Sequence, residues 1–377
     1  MKIGINGFEA VVGTRFGIDK KTGLPKRVGS SEYCYQLLKG LHKFRKKHDF
    51  YIYLPIEKTK DLPEEDENWH YVIISQPKLW TLIGLTKYFF KNRINLDIFF
   101  SPTHYAPLYS PGRLVISVMD LSYLYFPELF NKKDLWQLKL WTYFSMQRAS
   151  QIFTISHYSK NDIIKKYHRE AKDVVVTYLG IKDTLTNMRD QNQVLEKYSL
   201  GKKYILFVGT IQPRKNITRL IEAFSCLSNY PETTLVIVGK PGWMYEKIFA
   251  APEKYGVNGR VKFLTEVSDQ ELKVLYQKAL FFILPSLYEG FGLPVLEAMS
   301  FGTPVIISNV SSLPEAGGEA ALYVDPANVR DIAEKMETLL KDDQLRKKLI
   351  EKGYQHVKKF SWEKTAEETL KALEELN

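Results

Sequence analysis

Short apolar runs alternate with longer amphipathic segments along the whole chain. In the first half the runs are KIGIN (2–6), FYIYLP (50–55), YVIIS (71–75), DIFF (97–100), LVISVM (114–119) and IFTIS (152–156). In the second half they are YILFVG (204–209), TLVIVG (234–239), VKFL (261–264), LFFILP (280–285) and PVIIS (304–308). Runs this short, apolar at nearly every position, predict strands covered on both faces. The segments between them carry apolar residues at helical spacing. One helix is expected to start with Ser30 or Ser31 as N-cap and to run through Leu37, Leu38, Leu41 and Phe44, with basic residues in its last turn. Another is expected from Asn216 through Leu220, Ile221, Phe224 and Leu227. Alternation of this kind is the pattern of parallel α/β sheets.

The apolar pattern lapses over TLTNMRDQNQVLEKYSLGKK (184–203), where a linker is expected. The chain therefore reads as two doubly wound domains, 1–185 and 186–360, followed by a terminal helix over 361–377 with Ser361 as N-cap. Its 377 residues suffice for two domains. Two such domains leave a cleft between the carboxyl ends of their sheets, where ligands of open α/β folds bind. The loops that follow the strands are the places to look for chemistry.

Composition adds two points. No run reaches the roughly 18 uncharged apolar residues of a membrane span, and MKIGING leads straight into a first strand rather than a signal peptide. Cys34 and Cys226 lie far apart, inside expected helices, and fit buried thiols in a reducing compartment. The expected location is the cytoplasm. The net charge of +10 is unevenly spread: residues 1–180 hold 27 Lys and Arg against 17 Asp and Glu, and residues 181–377 hold 26 of each. The first half would favour an anionic partner, although a charged surface also serves solubility. PKLWTLIGLTKYFFKNR (77–93) mixes Trp80, Tyr88, Phe89 and Phe90 with Lys78, Lys87, Lys91 and Arg93, as interfacial helices do. It predicts peripheral docking on an anionic membrane, with a core helix of basic flank as the alternative. No nucleic-acid-binding module is recognisable, so nucleic acid is not an expected partner.

Four loops carry candidate chemistry. In VGTIQPRKNITRL (208–220), Arg214 and Lys215 stand at a helix start, a placement that opposes the helix dipole by roughly 0.3–1 kcal/mol unless an anion is bound there. In YEGFGLPVLE (288–297), Gly290 and Gly292 let the backbone approach a ligand, and Pro294 suits a first helical turn. Glu297 is expected in that first turn, where a carboxylate is favoured anyway; Glu289 precedes the glycines and gains little from the dipole. GSS (29–31) opens a helix and either meets a phosphate or sugar or is a plain cap. Asp120 follows a buried strand and is either a site group or a cap of the next turn. There is no G-x-G-x-x-G, Walker loop or D-x-D, so no carboxylate pair stands ready to hold a metal on a diphosphate.

PRKN (213–216), the string YEGFGLPVLEAMSFGTPVIISNVSSLPEAGGEAALYVDP (288–326) and the segment after Ser361 are similar to those of the retaining glycosyltransferases of family 4, which have the GT-B fold. The similarity runs over nearly the whole chain and is densest at 204–326. It implies two Rossmann-like domains facing across a cleft, an acceptor held by the first, a nucleotide-sugar donor held by the second, and a last helix that crosses back to the first. It implies hexosyl transfer with retention, with no cofactor and no required metal. Matched residue by residue, it implies that Lys215, with Arg214, holds the donor phosphates. Glu297 would bind the ribose hydroxyls, and Glu289 would lie close to the donor sugar. The backbone of Gly290, Phe291, Gly292 and Leu293 would contact sugar and phosphate; Val267 would border the nucleobase, and Gly29 would belong to the glycine loop of the first domain.

Two positions depart from the family. A His-Asp pair common in it is Met119-Asp120 here, so Asp120 remains a candidate catalytic group without its histidine; His104 in SPTHYAP offers another imidazole or is an ordinary loop histidine. Thr210 stands where many members have arginine, a version similar to mannosyltransferases of polysaccharide assembly. The implied activity is transfer of a sugar, mannose from GDP-mannose ahead of a UDP-sugar, to a glycan or lipid-linked acceptor in polysaccharide or glycolipid assembly. The alternative is a non-catalytic nucleotide-sugar- or polysaccharide-binding protein that kept the fold.

Overall fold

A computed structural model describes residues 1–12, 23–27, 29–75, 78–181, 190–201 and 203–376. The chain divides into two compact units, one of Met1–Gly180 with Phe360–Asn377, the other of Ile181–Lys359. The first is built on seven parallel strands: β1 (Lys2–Asn6), β2 (Asp49–Leu54), β3 (Trp69–Ile73), β4 (Ile98–Ser101), β5 (Arg113–Ser117), β6 (Gln151–Thr154) and β7 (Val174–Val176). The second has six: β8 (Tyr204–Val208), β9 (Thr234–Val238), β10 (Val261–Leu264), β11 (Phe281–Leu284), β12 (Val305–Ser308) and β13 (Ala321–Val324). The orders are β3-β2-β1-β4-β5-β6-β7 and β10-β9-β8-β11-β12-β13. Each order reverses once, between β1 and β4 and between β8 and β11. In open α/β sheets the loops that leave such strand pairs are where ligands bind.

Helices cover the sheets, so β4, β6, β11 and β12 are buried along their whole length. That burial is why they read as unbroken apolar runs. The expected strand YVIIS begins two residues earlier, at Trp69, because Phe50–Leu54 of β2 pair with Trp69–Ile73. Strands β7 and β13 were not expected. Each is an edge strand with a single neighbour, only three or four residues long and half-buried in part, so its apolar signal is weak.

Several helix ends differ from expectation. The helix Ser30–His42 is capped by Gly29 at φ 57, not by a serine side chain, and it stops before Phe44. The segment expected as linker contains a helix, Gln191–Lys197, whose N-cap Asp190 accepts from the amides of Asn192 and Gln193; residues 184–189 and 202 lie outside the described residues. The polar insert over 13–31 is described only at 23–27 and 29–31. Cys34 is buried, but Cys226 is exposed, because the helix Ile217–Ser225 ends just before it. Among the described residues no helix is long and apolar enough to cross a membrane.

The terminal helix Trp362–Glu374 packs against the helix Ser30–His42 in the first unit. Thr365 Oγ1 donates to the Tyr178 carbonyl at 2.6 Å, and His48 Nε2 lies 2.8 Å from Glu374 Oε1. The two helices approach closely at Gly40, where an added Cβ would stand 2.5 Å from the Cβ of Ala366 and 3.2 Å from the Trp362 carbonyl oxygen. In an open helix, glycine to alanine stabilises by about 0.8–1.0 kcal/mol. Here overpacking reverses the sign. Gly40→Ala is expected to lower unfolding free energy by about 1–3 kcal/mol in urea titration; a gain in stability would contradict the close contact.

Candidate functional site

In the second unit the chain leaves β8 at Val208 and makes a 3-10 turn over Pro213–Lys215 before the helix Ile217–Ser225 begins. Asn216 joins turn to helix in the left-handed region, φ 60. Its side chain does not cap that helix. Instead Nδ2 donates to the carbonyls of Pro285 at 2.9 Å and Pro326 at 2.7 Å, so one buried amide ties the loop after β8 to the loops after β11 and β13. The backbone closes the same gap, with the Leu287 amide donating to the Arg214 carbonyl at 2.9 Å. Arg214 Nη1 donates to the Tyr288 carbonyl at 2.7 Å.

These ties bring Arg214 and Lys215 onto Glu289. Lys215 Nζ lies 2.5 Å from Glu289 Oε1, and Arg214 Nη1 lies 3.5 Å from Oε2. The cations therefore precede the helix rather than start it, and a carboxylate from the neighbouring loop answers them. Lys215 and Glu289 are 8% and 7% exposed, so the pair is nearly dry. Burial alone would raise the Glu289 pKa; Lys215 and then Arg214 outweigh it and hold the carboxyl below its ordinary value. The stabilisation this gives is present above the ordinary carboxylate range and is lost as the pH falls through the lowered value. Two cations against one carboxylate leave a net positive charge in a low-dielectric crevice. That is a setting for a second, larger anion.

The loop after β12 fixes Glu289 from behind. Ser311 Oγ accepts from the Glu289 amide at 3.0 Å, and Ser312 Oγ donates to its carbonyl at 2.8 Å. Gly290 and Phe291 are buried, and Gly292 adopts φ 114, which favours glycine, as N-cap of the helix Leu293–Ser300. The amides of Gly292 and Leu293 stand at the start of a helix that has no side-chain cap. Leu293 is half-buried at the helix start. Glu297 is the fifth residue of this helix, not part of its first turn, so the helix dipole does not account for it. Tyr276, from the helix Asp269–Lys278, donates its hydroxyl to Glu297 Oε2 at 3.1 Å. The two glutamates of YEGFGLPVLE thus have different partners: Glu289 the cations, Glu297 a buried tyrosine.

Thr210 is exposed in the same β8 loop. Val267 is half-buried in the loop after β10, just before Ser268, which forms a capping box with Glu271. In the sheet order β10 lies two strands from β8. The other two expected site residues belong to the first unit. Gly29 holds φ 57, and among the described residues none lies within 4 Å of a Cβ added there. Asp120, after β5, accepts from the Ser122 amide at 2.9 Å and so caps a turn. Sequence reasoning missed Asn216 as a tie, the serines at 311 and 312, and Tyr276. A buried asparagine beside two cations, and a serine pair after an all-buried strand, are the signals that point to them.

The sequence profile of the family described as "Glycosyl transferases group 1" matches residues 189–356. Over 283 residues the chain is 35% identical to the O-antigen chain mannosyltransferase B of Escherichia coli, covering 73% of each chain. It is 35% identical over 231 residues to the serotype-specific mannosyltransferase WbdA of Escherichia coli, covering 58% of this chain but only 28% of that longer protein. Among solved structures, Anabaena HepE in complex with UDP and glucose superposes with a TM-score of 0.72 over the full length of both chains at 17% identity, a likeness of fold. The paired Rossmann-like units are those of the GT-B fold. From its sequence relatives and its fold together, this chain belongs to the group 1 glycosyl transferases.

Proposed function

We propose that the protein moves a mannosyl residue from GDP-mannose to a glycan or lipid-linked acceptor in polysaccharide assembly, with retention at the anomeric carbon and without a required metal. The observation that carries this reading is the cation pair on Glu289 at the reversal point of the second sheet. Its net charge and burial suit a nucleoside diphosphate. The choice of mannose follows the named activities of the similar O-antigen enzymes. A UDP-sugar is the second candidate.

In this reading the bond from the anomeric carbon to the diphosphate oxygen breaks, and Lys215 and Arg214 stabilise the charge that develops there. The acceptor oxygen bonds the same face of the sugar, and its proton passes to the departing phosphate. Glu289 orients the sugar, and Glu297, steadied by Tyr276, takes the ribose hydroxyls. The backbone of residues 290–293 serves sugar and phosphate, Thr210 and Val267 border the donor, and Asp120 and Gly29 serve from the first unit. A double displacement needs two carboxylates about 5–5.5 Å apart with one free to attack; the ion pair on Glu289 and the tyrosine on Glu297 favour the single-face route instead. Lys215→Ala is expected to cut transfer from GDP-mannose by about 10²–10³-fold, with wild-type activity surviving EDTA. Circular dichroism separates this loss from unfolding. Turnover near wild type in a folded variant would remove the phosphate role; absence of transfer by the wild type would leave a binding protein as the better account.

An anionic lipid surface is the proposed second partner, where a lipid-linked acceptor would be met. On the first unit Phe90 is 77% exposed and Leu108 63% exposed, and the rings of Phe90 and Tyr109 lie 6.3 Å apart. Arg148 Nη1 donates to the Pro107 carbonyl at 2.6 Å, which joins this rim to the helix Lys132–Arg148 with its exposed Trp136, Tyr143 and Phe144. Lys87, Lys91, Arg93, Lys132, Lys133 and Lys139 lie in the same segments as these aromatics, against Asp97, which is tied to the Lys2 amide at 2.7 Å, and Asp134 in the first turn of the second helix. Aromatic and basic groups in one rim suit the lipid interface. The protein is expected to co-sediment with phosphatidylglycerol vesicles at low salt, less as salt rises. Phe90→Ser with Leu108→Ser should lose most of that binding. Failure of the wild type to bind at low salt would contradict the proposal.

A further inference from the structure

Large apolar side chains open to water are nearly confined to one place in the second unit. Among its described residues they are Trp243, Met244, Tyr245 and Tyr354, so three of the four are consecutive. Scattered exposed apolar residues need no explanation, but a contiguous group marks a contact surface. The three stand in the loop that leaves β9, ahead of the short helix Glu246–Phe249. Trp243 is 47% exposed and Met244 54%. Met244 holds φ 53, a left-handed conformation that glycine or asparagine adopts more readily.

The loop is firmly seated. The Ile211 amide donates to the Lys240 carbonyl and the Gly242 amide to the Ile211 carbonyl, both at 2.9 Å. A Cβ added at Gly239 would stand 1.9 Å from the Gly209 carbonyl oxygen, and one at Gly242 would stand 2.7 Å from Thr210 Cγ2. Backbone contacts thus bind this loop to the one that carries Arg214 and Lys215. Tyr245 packs edge-on against Phe249, with centroids 5.6 Å apart, and Phe249 stacks on Phe263 of β10 at 4.4 Å. Trp243 has no such partner. Among the described residues its ring meets no other ring, and its indole N–H donates to no acceptor.

The chemistry of this shelf selects its ligand. Across residues 239–249 the charges are Lys240 and Lys247 against Glu246. That near balance offers little to an anionic lipid or a phosphate, unlike the basic rim of the first unit. What it presents is a broad indole face with one hydrogen-bond donor at its edge. A pyranose matches both. The ring face that carries C–H groups lies flat on the indole, and a hydroxyl accepts from its N–H. A nucleobase is flat too, but a small ligand is bound whole and mostly enclosed. A half-exposed shelf suits one sugar of a longer chain.

We infer that Trp243 stacks on a pyranose of the acceptor glycan, which gives the second unit a share in acceptor binding and favours oligosaccharide over monosaccharide acceptors. This rests on the glycosyltransferase reading above. Transfer from GDP-mannose to methyl α-mannoside and to an α-linked mannotetraose is followed in wild type, Trp243→Ala and Trp243→Phe. Trp243→Ala is expected to raise KM for mannotetraose about tenfold, the effect of one lost ring contact. Its kcat, KM for GDP-mannose and thermal midpoint should match wild type. Trp243→Phe keeps an aromatic face and should recover most of the loss. In magnetic resonance spectra of isotope-labelled protein, the indole N–H signal missing from Trp243→Phe should shift on addition of mannotetraose and stay in place on addition of GDP. An unchanged KM for mannotetraose in Trp243→Ala overturns the inference, as does an unmoved signal. A raised KM for GDP-mannose in that variant also overturns it, since the ring would then face the donor. Absence of wild-type transfer to either mannoside, with the signal still shifting, would contradict the proposed function and leave mannotetraose on the shelf.

Discussion

Glu289 is nearly removed from water, and a carboxylate in that position is tolerable only beside cations. Lys215 and Arg214 supply them, and both sit in a loop that leaves a different strand. The pair can form because β8 and β11 are neighbours at the point where the strand order reverses, which points two otherwise distant loops at each other. Removing one partner of such a pair leaves an uncompensated buried charge, at about 3–5 kcal/mol. The loops of the second unit are therefore held by the same charges that would meet a diphosphate.

Neutral groups hold the same loops as well. Asn216 bonds two carbonyls from other loops, and Ser311 and Ser312 grip the backbone of Glu289 on both sides. A reactive constellation keeps its geometry only when the groups behind it are fixed. The first unit follows the same plan with different residues. Asn6 ties the end of β1 to Ser101 at the end of β4, and Ser101 in turn holds the Tyr105 carbonyl.

Much of this was legible in the sequence. The central strands read as apolar runs because both faces are covered, and the loops after them could be picked out as places for chemistry. The edge strands Val174–Val176 and Ala321–Val324 were not legible, since a short strand with one neighbour needs little apolar pattern. Arg214, Lys215 and Glu289 stood out by type, but their meeting depends on sheet order, which local pattern does not carry. The serine cap expected before Tyr33 is a glycine in an unusual conformation, a choice made by the loop rather than the helix. Glu297 lies one residue deeper than expected, just past the first turn, because the helix starts at Leu293, ahead of Pro294. Its partner Tyr276 comes from another helix, a contact that no sequence spacing reveals.

The central claim is that Lys215 and Arg214 are shared between Glu289 and the donor diphosphate. Titration calorimetry of GDP onto wild type and Glu289→Gln tests it most directly. If the carboxylate competes for the cations, its removal tightens GDP binding by about tenfold, a difference of about 1.4 kcal/mol, even as sugar transfer falls. Unchanged or weaker GDP binding in a folded Glu289→Gln variant would contradict the account.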